Sequence, residues 1–63
     1  MTVKELLEVM PEIEITKIIR KINPDGYIFS EPMSRQSVIE TYGNYHVIKA
    51  IAIASCYLDI YIK

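Results

Sequence analysis

Two side chains in this 63-residue chain are of the types that most often carry proton-transfer or nucleophilic chemistry, and each stands alone. His46 is the only imidazole and Cys56 the only thiol. A catalytic or metal-bound imidazole normally has a partner that orients it, and the stretch around His46, Asn44-Tyr45-His46-Val47, supplies no acid. A nucleophilic thiol needs a cation or a helix N-terminus to lower its pKa. Cys56 has Ser55, Tyr57 and Asp59 as neighbours instead, and an adjacent acid activates a thiol poorly. One cysteine makes no intramolecular disulfide, and one cysteine with one histidine makes no zinc set. Ser34, Arg35 and Ser37 stand near Gly43 but lack the glycine-rich run that precedes a phosphate-cradling helix. The reading is a non-enzymatic protein with no catalytic residues, no metal site and no cofactor.

Binding chemistry is better represented. Lys17, Arg20 and Lys21 precede Tyr27 and Phe29, and Arg35 follows. Interleaved cations and aromatics can track a single-stranded nucleic-acid backbone while stacking its bases. Alternation along a strand, however, sets Lys17 and Lys21 opposite Arg20 and scatters that patch. Charges on an edge strand also discourage sheet-to-sheet aggregation. Seven basic against eight acidic side chains leave a net charge of −1. That is neither the basic excess of a duplex-binding module nor the acidic excess of a DNA mimic. Nucleic acid is therefore the alternative partner, with Lys17, Arg20, Lys21 and Arg35 as its contacts.

The favoured surface comes from residues 47–63, VIKAIAIASCYLDIYIK. Read as a hairpin turning near Ser55 and Cys56, the period-2 pattern puts Val47, Ile51, Ile53, Leu58, Ile60 and Ile62 on a core face. Ile48, Ala50, Ala52, Ala54, Tyr57 and Tyr61 share the other, with Asp59 the only acid there. That second face is too apolar to be an ordinary solvated one. Small alanines leave shallow space beside large amphipathic rings, and tyrosine is enriched at protein interfaces. Ala50, Ala52, Tyr57, Asp59 and Tyr61 are thus the expected interaction surface. A second copy is the expected cover, giving a homodimer with Tyr57 and Tyr61 at or beside the interface.

The elements that position these residues follow from local signals. Thr2 and Glu5 have capping-box spacing, and Val3, Leu6, Leu7 and Met10 form one apolar stripe that Pro11 ends. Ile15, Ile18, Ile19 and Ile22 fit a helical stripe as well as a strand. Their β-branching, and the turn sequence Asn23-Pro24-Asp25-Gly26 before Tyr27-Ile28-Phe29, favour a hairpin with a bulge or kink at Ile18-Ile19. Ser34 caps a short helix through Val38, Ile39 and Tyr42, which Gly43 closes as a left-handed residue. The expected fold is a small single α+β domain over residues 1–63: helix, hairpin, short helix, hairpin, with an antiparallel sheet and both helices on one face.

The chain is 51% hydrophobic, enough to exclude disorder. Its longest apolar run, residues 50–54, is far short of a membrane span. No basic stretch followed by an apolar block opens it. A cytoplasmic protein is expected.

Both ends resemble a group of very short phage and prophage proteins of Gram-positive bacteria. The opening Thr2-Val-Lys-Glu-Leu-Leu-Glu-Val-Met-Pro11 is similar to their "TVKELL…LP" helix, and Leu58-Asp-Ile-Tyr-Ile-Lys63 to their closing strand. The resemblance covers about a third of the chain and implies a virus-encoded accessory protein. Proteins of this size class include anti-CRISPR and other anti-defence inhibitors, which bind a host protein or its ligand. It implies no catalytic residues. The combined expectation is an inhibitor that binds and blocks a host protein target.

Overall fold

The computed structural model describes residues 1–22 and 26–63. In chain order the elements are α1 (Val3–Glu8), β1 (Ile15–Lys21), β2 (Tyr27–Phe29), β3 (Met33–Ser34), α2 (Arg35–Tyr42), β4 (Val47–Ala54) and β5 (Tyr57–Ile62). The expected α+β domain with an antiparallel sheet is corrected here. Among the described residues strand outnumbers helix, 47% against 23%, so the fold is mostly β. Its five-stranded sheet is mixed: the order is β2-β1-β5-β4, with β3 also paired to β1, and β1 runs parallel to β5. A parallel pair needs a long crossover, which β2, β3, α2 and β4 together supply. No local sequence signal announces such a pairing.

Helix α1 forms where its caps dictate. The Thr2 backbone N–H donates to Glu5 Oε1 at 2.8 Å and the Glu5 N–H donates to Thr2 Oγ1 at 3.2 Å, closing the capping box. Two further first-turn donors, from Val3 and Lys4, reach the Tyr45 and Gly43 carbonyls at 2.9 and 3.1 Å. The start of α1 is therefore docked on the end of α2, and donors that helices leave orphaned are satisfied. Gly43 is not left-handed as expected, but sits in right-handed helical geometry (φ −54°, ψ −32°). Glycine fits there for a steric reason: a Cβ would run into the Ile39 carbonyl oxygen.

The core lies between the helices and one sheet face. Val3, Leu7, Ile13, Ile18, Val38, Leu58, Ile60 and Ile62 form a single buried cluster, with Leu6, Met10, Ile39 and Val47 packed against it. Burying each such side chain contributes about 1.5–3 kcal/mol, a large share of a small domain's margin.

Strand β1 has no bulge at Ile18-Ile19; its register with β5 is continuous from Ile15 to Arg20. The break falls on its other neighbour, between β2 and β3. There Ser30 bridges the gap, its Oγ accepting the Ile18 N–H at 2.9 Å and its own N–H reaching the Ile18 carbonyl at 2.8 Å. Of the expected turn at 23–26, residues 23–25 lie outside the described residues.

Strand β4 departs most from expectation. Its register against β5 shifts between Val47 and Lys49 and again between Ala52 and Ala54. Each shift inserts one extra residue and flips the side-chain alternation. As a result Ile51 opposes Asp59, and Ala50 and Ala52 oppose Ile60 and Leu58. Ile51 and Ile53, expected in the core, are 42% and 57% exposed. Ala50 and Ala52 lie on the helix side, not beside Tyr57 and Tyr61.

Candidate binding surface

Directly paired residues on neighbouring strands share a sheet face, so the registers define the face opposite the helices row by row. Phe29, Ile19, Tyr61 and Lys49 form one row across β2, β1, β5 and β4. Lys17, Asp59 and Ile51 form the next, then Ile15, Tyr57 and Ala54. Tyr27 opposite Lys21 completes the β2 end. No helix lies on this face, yet Ile19 at its centre is only 1% exposed. Its register partners Phe29 and Tyr61 flank it, so a small aromatic layer takes the place of a second helical layer.

That layer has defined geometry. The Tyr27 and Tyr61 rings meet edge to face at 5.8 Å, and Tyr27 and Phe29 are tilted at 6.4 Å, both within the favourable range for aromatic pairs. Lys17 Nζ stands 5.3 Å from the Phe29 centroid and Lys49 Nζ 4.5 Å from that of Tyr61. Exposed cation–π contacts of this kind contribute about 0.5–1 kcal/mol each. Tyr27 and Phe29 remain 48% and 57% exposed. At the middle of the face one carboxylate oxygen, Asp59 Oδ1, is buried without a hydrogen-bond partner among the described residues.

Charge is segregated across the sheet. By register the open face carries Lys17, Lys21 and Lys49 against Asp59. Glu5 and Glu8 belong to α1, Glu40 to α2, and Glu12, Glu14 and Glu31 to links between elements. The near-neutral sum of the sequence hides this.

The residues expected to touch nucleic acid therefore divide. Lys17 and Lys21 lie on the open face. Arg20 points the other way and stands over the Tyr45 ring at 5.4 Å. Arg35 is structural: its guanidinium donates to the carbonyls of Met10 at 3.0 Å and Ile13 at 3.3 Å, and to that of Leu7. It thereby serves the carbonyl-rich end of α1. Of the expected interaction residues, Tyr57, Asp59 and Tyr61 are on the open face, and Ala50 and Ala52 are on the reverse. Sequence reasoning missed Lys49 and Ile19; the double flip in β4 conceals the first, and the second reads as ordinary core.

On the helix side, a cleft of about 280 Å³ is lined by Ile18, Arg20, Ile28, Phe29, Ser30 and Tyr42. Two of its polar side chains are engaged: Ser30 Oγ donates to the Glu31 carbonyl besides accepting from Ile18, and Arg20 is over Tyr45. His46 is exposed, in an isolated bridge with Thr2. Cys56 is a free, half-buried thiol whose carbonyl accepts the N–H groups of Glu14 and Ile15. Among the described residues no cluster of three His, Cys, Asp or Glu side chains could hold a metal ion, and no helix is long and apolar enough to cross a membrane.

Comparison with known proteins returned no matching family model, curated protein or solved structure.

Proposed function

We propose that this chain is a non-enzymatic interaction protein that binds a host macromolecule through the helix-free face of its sheet. The observation that carries the reading is that face itself, with exposed Tyr27 and Phe29, half-buried Tyr57 and Tyr61, and lysines set over two of the rings. A broad, shallow surface of this kind suits a macromolecule better than a small metabolite, which is usually enclosed in a concave pocket. The mode of action is occupancy: the bound chain denies the partner its normal contacts. With the resemblance of both ends to phage proteins, the setting is the cytoplasm of a bacterial host and the effect is inhibition of an anti-CRISPR or anti-defence kind.

The test is site-specific cross-linking. A photoreactive phenylalanine analogue at position 27 or 61 of the intact chain should give large adducts in a Gram-positive lysate, and the same group at position 36 on α2 should not. Equal adduct yields at all three positions, or none at any, would overturn the assignment of the face.

A second reading, the homodimer, is supported by a different observation. β4 ends the sheet order, so one of its edges is unpaired, and Ile48, Ile51 and Ile53 on it are exposed. An uncovered apolar edge is a template for another strand. Two copies pairing along β4 would leave Tyr57 and Tyr61 one strand inside the junction. Sedimentation equilibrium at micromolar concentration decides it: a dimer should become monomeric with Ile51→Lys, and a monomeric parent sinks the reading.

A further inference from the structure

We propose that the occupant of the open face is single-stranded nucleic acid, its bases stacked on Tyr27, Phe29 and Tyr61 and its phosphates held by Lys17, Lys21 and Lys49. This rests on the reading of that face as the binding surface and names its partner.

The argument begins with charge. Three ammonium groups lie by register on one face with one carboxylate, while six of the acids are in the helices and links. The open face is therefore locally cationic toward a polyanion, despite the chain's net charge of −1. A neutral apolar protein surface would have no use for that separation. Ring orientation supports the same occupant. The planes of Tyr27 and Tyr61 stand at 86° and those of Tyr27 and Phe29 at 58°, so bases stacked on neighbouring rings would be splayed apart rather than stacked on one another. Sheet-borne aromatics are a recurrent platform for splayed bases. A duplex keeps its bases stacked inside and cannot use the rings.

The two cation–π contacts explain how cations and rings would act together. In the free chain the ammonium groups of Lys17 and Lys49 stand over the rings of Phe29 and Tyr61. A base arriving on either ring displaces its ammonium, which is then free to meet the phosphate of the same strand. Stacking and charge pairing thus form in one event. Asp59, in register between Lys17 and Ile51, is the one carboxylate that the registers place on this face, so the lysines outnumber it there.

Fluorescence anisotropy of the intact chain with a labelled 15-nucleotide thymidine strand tests this, with a 15-base-pair duplex beside it. Binding to the single strand should weaken about twentyfold between 50 and 200 mM salt, as three phosphate contacts require. Lys21→Gln combined with Lys49→Gln, both exposed positions, should lower the logarithmic salt slope by about 1.4. Tyr27→Leu should cost at least about fivefold in affinity and leave the slope unchanged; Gln36→Ala on α2 is the control. No single-strand binding at 50 mM salt, equal binding to the duplex, or insensitivity to these substitutions overturns the proposal. If the strand fails to bind while cross-links from positions 27 and 61 still form to protein, the face stands and its occupant is a protein. If both fail, the face itself is wrongly assigned.

Discussion

The two strands of the last hairpin have similar composition and opposite fates. β5, YLDIYI, alternates between half-buried and buried at every step, whereas β4, VIKAIAIA, is exposed at every position after Val47. The more apolar strand is thus the more exposed one. Place in the sheet decides this. β5 lies between β1 and β4, and its Leu58, Ile60 and Ile62 pack in one cluster with Val3 and Leu7 of α1 and Val38 of α2. β4 is the last strand, beyond what two short helices can cover.

The sharpest way to break the comparison is to truncate the same residue type on each strand. Ile60→Ala should cost about 2–5 kcal/mol, the range for a fully buried aliphatic side chain, and should come close to unfolding so small a domain. Ile51→Ala should cost less, about 1 kcal/mol, because 42% of its surface already meets water in the folded chain. Denaturant melts of the two variants measure the difference, and similar losses would mean that β4 is core after all.

Next in size is the cover over β5. Arg35 ties the start of α2 to the end of α1 through three carbonyls. A hydrogen bond from a charged donor contributes about 1.5–3 kcal/mol, so Arg35→Ala should destabilise by about that amount, before any partial rescue by water. Arg35→Lys should recover only part of it, since an ammonium lacks the guanidinium fork. Full recovery with lysine would show that charge alone matters there.

A smaller effect of opposite sign is expected under the same cover. Thr16 is fully buried on the helix side, opposite Leu58, and its hydroxyl has no hydrogen-bond partner among the described residues. An orphaned buried hydroxyl costs stability that an apolar group of the same shape does not. Thr16→Val should therefore raise stability by about 1 kcal/mol, seen as a higher denaturation midpoint with an unchanged slope. A lower midpoint would mean that the hydroxyl is satisfied in solution.

The comparison also marks what was legible in the sequence. The α1 stripe, the Thr2–Glu5 box and the buried row Leu58, Ile60 and Ile62 depend on neighbours within a few residues, and period and capping chemistry reveal them. The faces of β4 depend on two one-residue shifts, near Ile48 and Ile53, that alternation alone cannot anticipate. Alternation alone puts Ala50 and Ala52 with the tyrosines and Ile51 in the core. The parallel β1–β5 pairing, which makes the sheet mixed, joins segments about forty residues apart. The binding face suffers from the same blindness. Lys17 and Lys21 were visible as cations, but only the registers bring Lys49 to them and turn Arg20 and Arg35 away.

The smallest expected effect is at the first turn of α1, where fraying would begin to uncover β5. The Glu5 carboxyl is held below its ordinary value of 4.5, first by the Thr2 backbone N–H, then by the Thr2 hydroxyl, with the amino terminus and His46 adding favourable charge. A carboxyl with a lowered folded pKa contributes stability that is fully present above its ordinary value and is lost as pH falls through the folded value. Removing the hydroxyl with Thr2→Ala should cost about 1 kcal/mol at neutral pH. Glu5→Gln should be less stable than the parent at pH 6, and the gap should begin to close below pH 4.5 and vanish as pH falls through the lowered folded value, where the parent's carboxylate takes up its proton. Thermal melts of both chains from pH 3 to pH 7 measure this directly. A gap that stays constant across that range would assign the role of Glu5 to its shape and hydrogen bonding rather than its charge, and would remove electrostatics from the account of how α1 is held over β5.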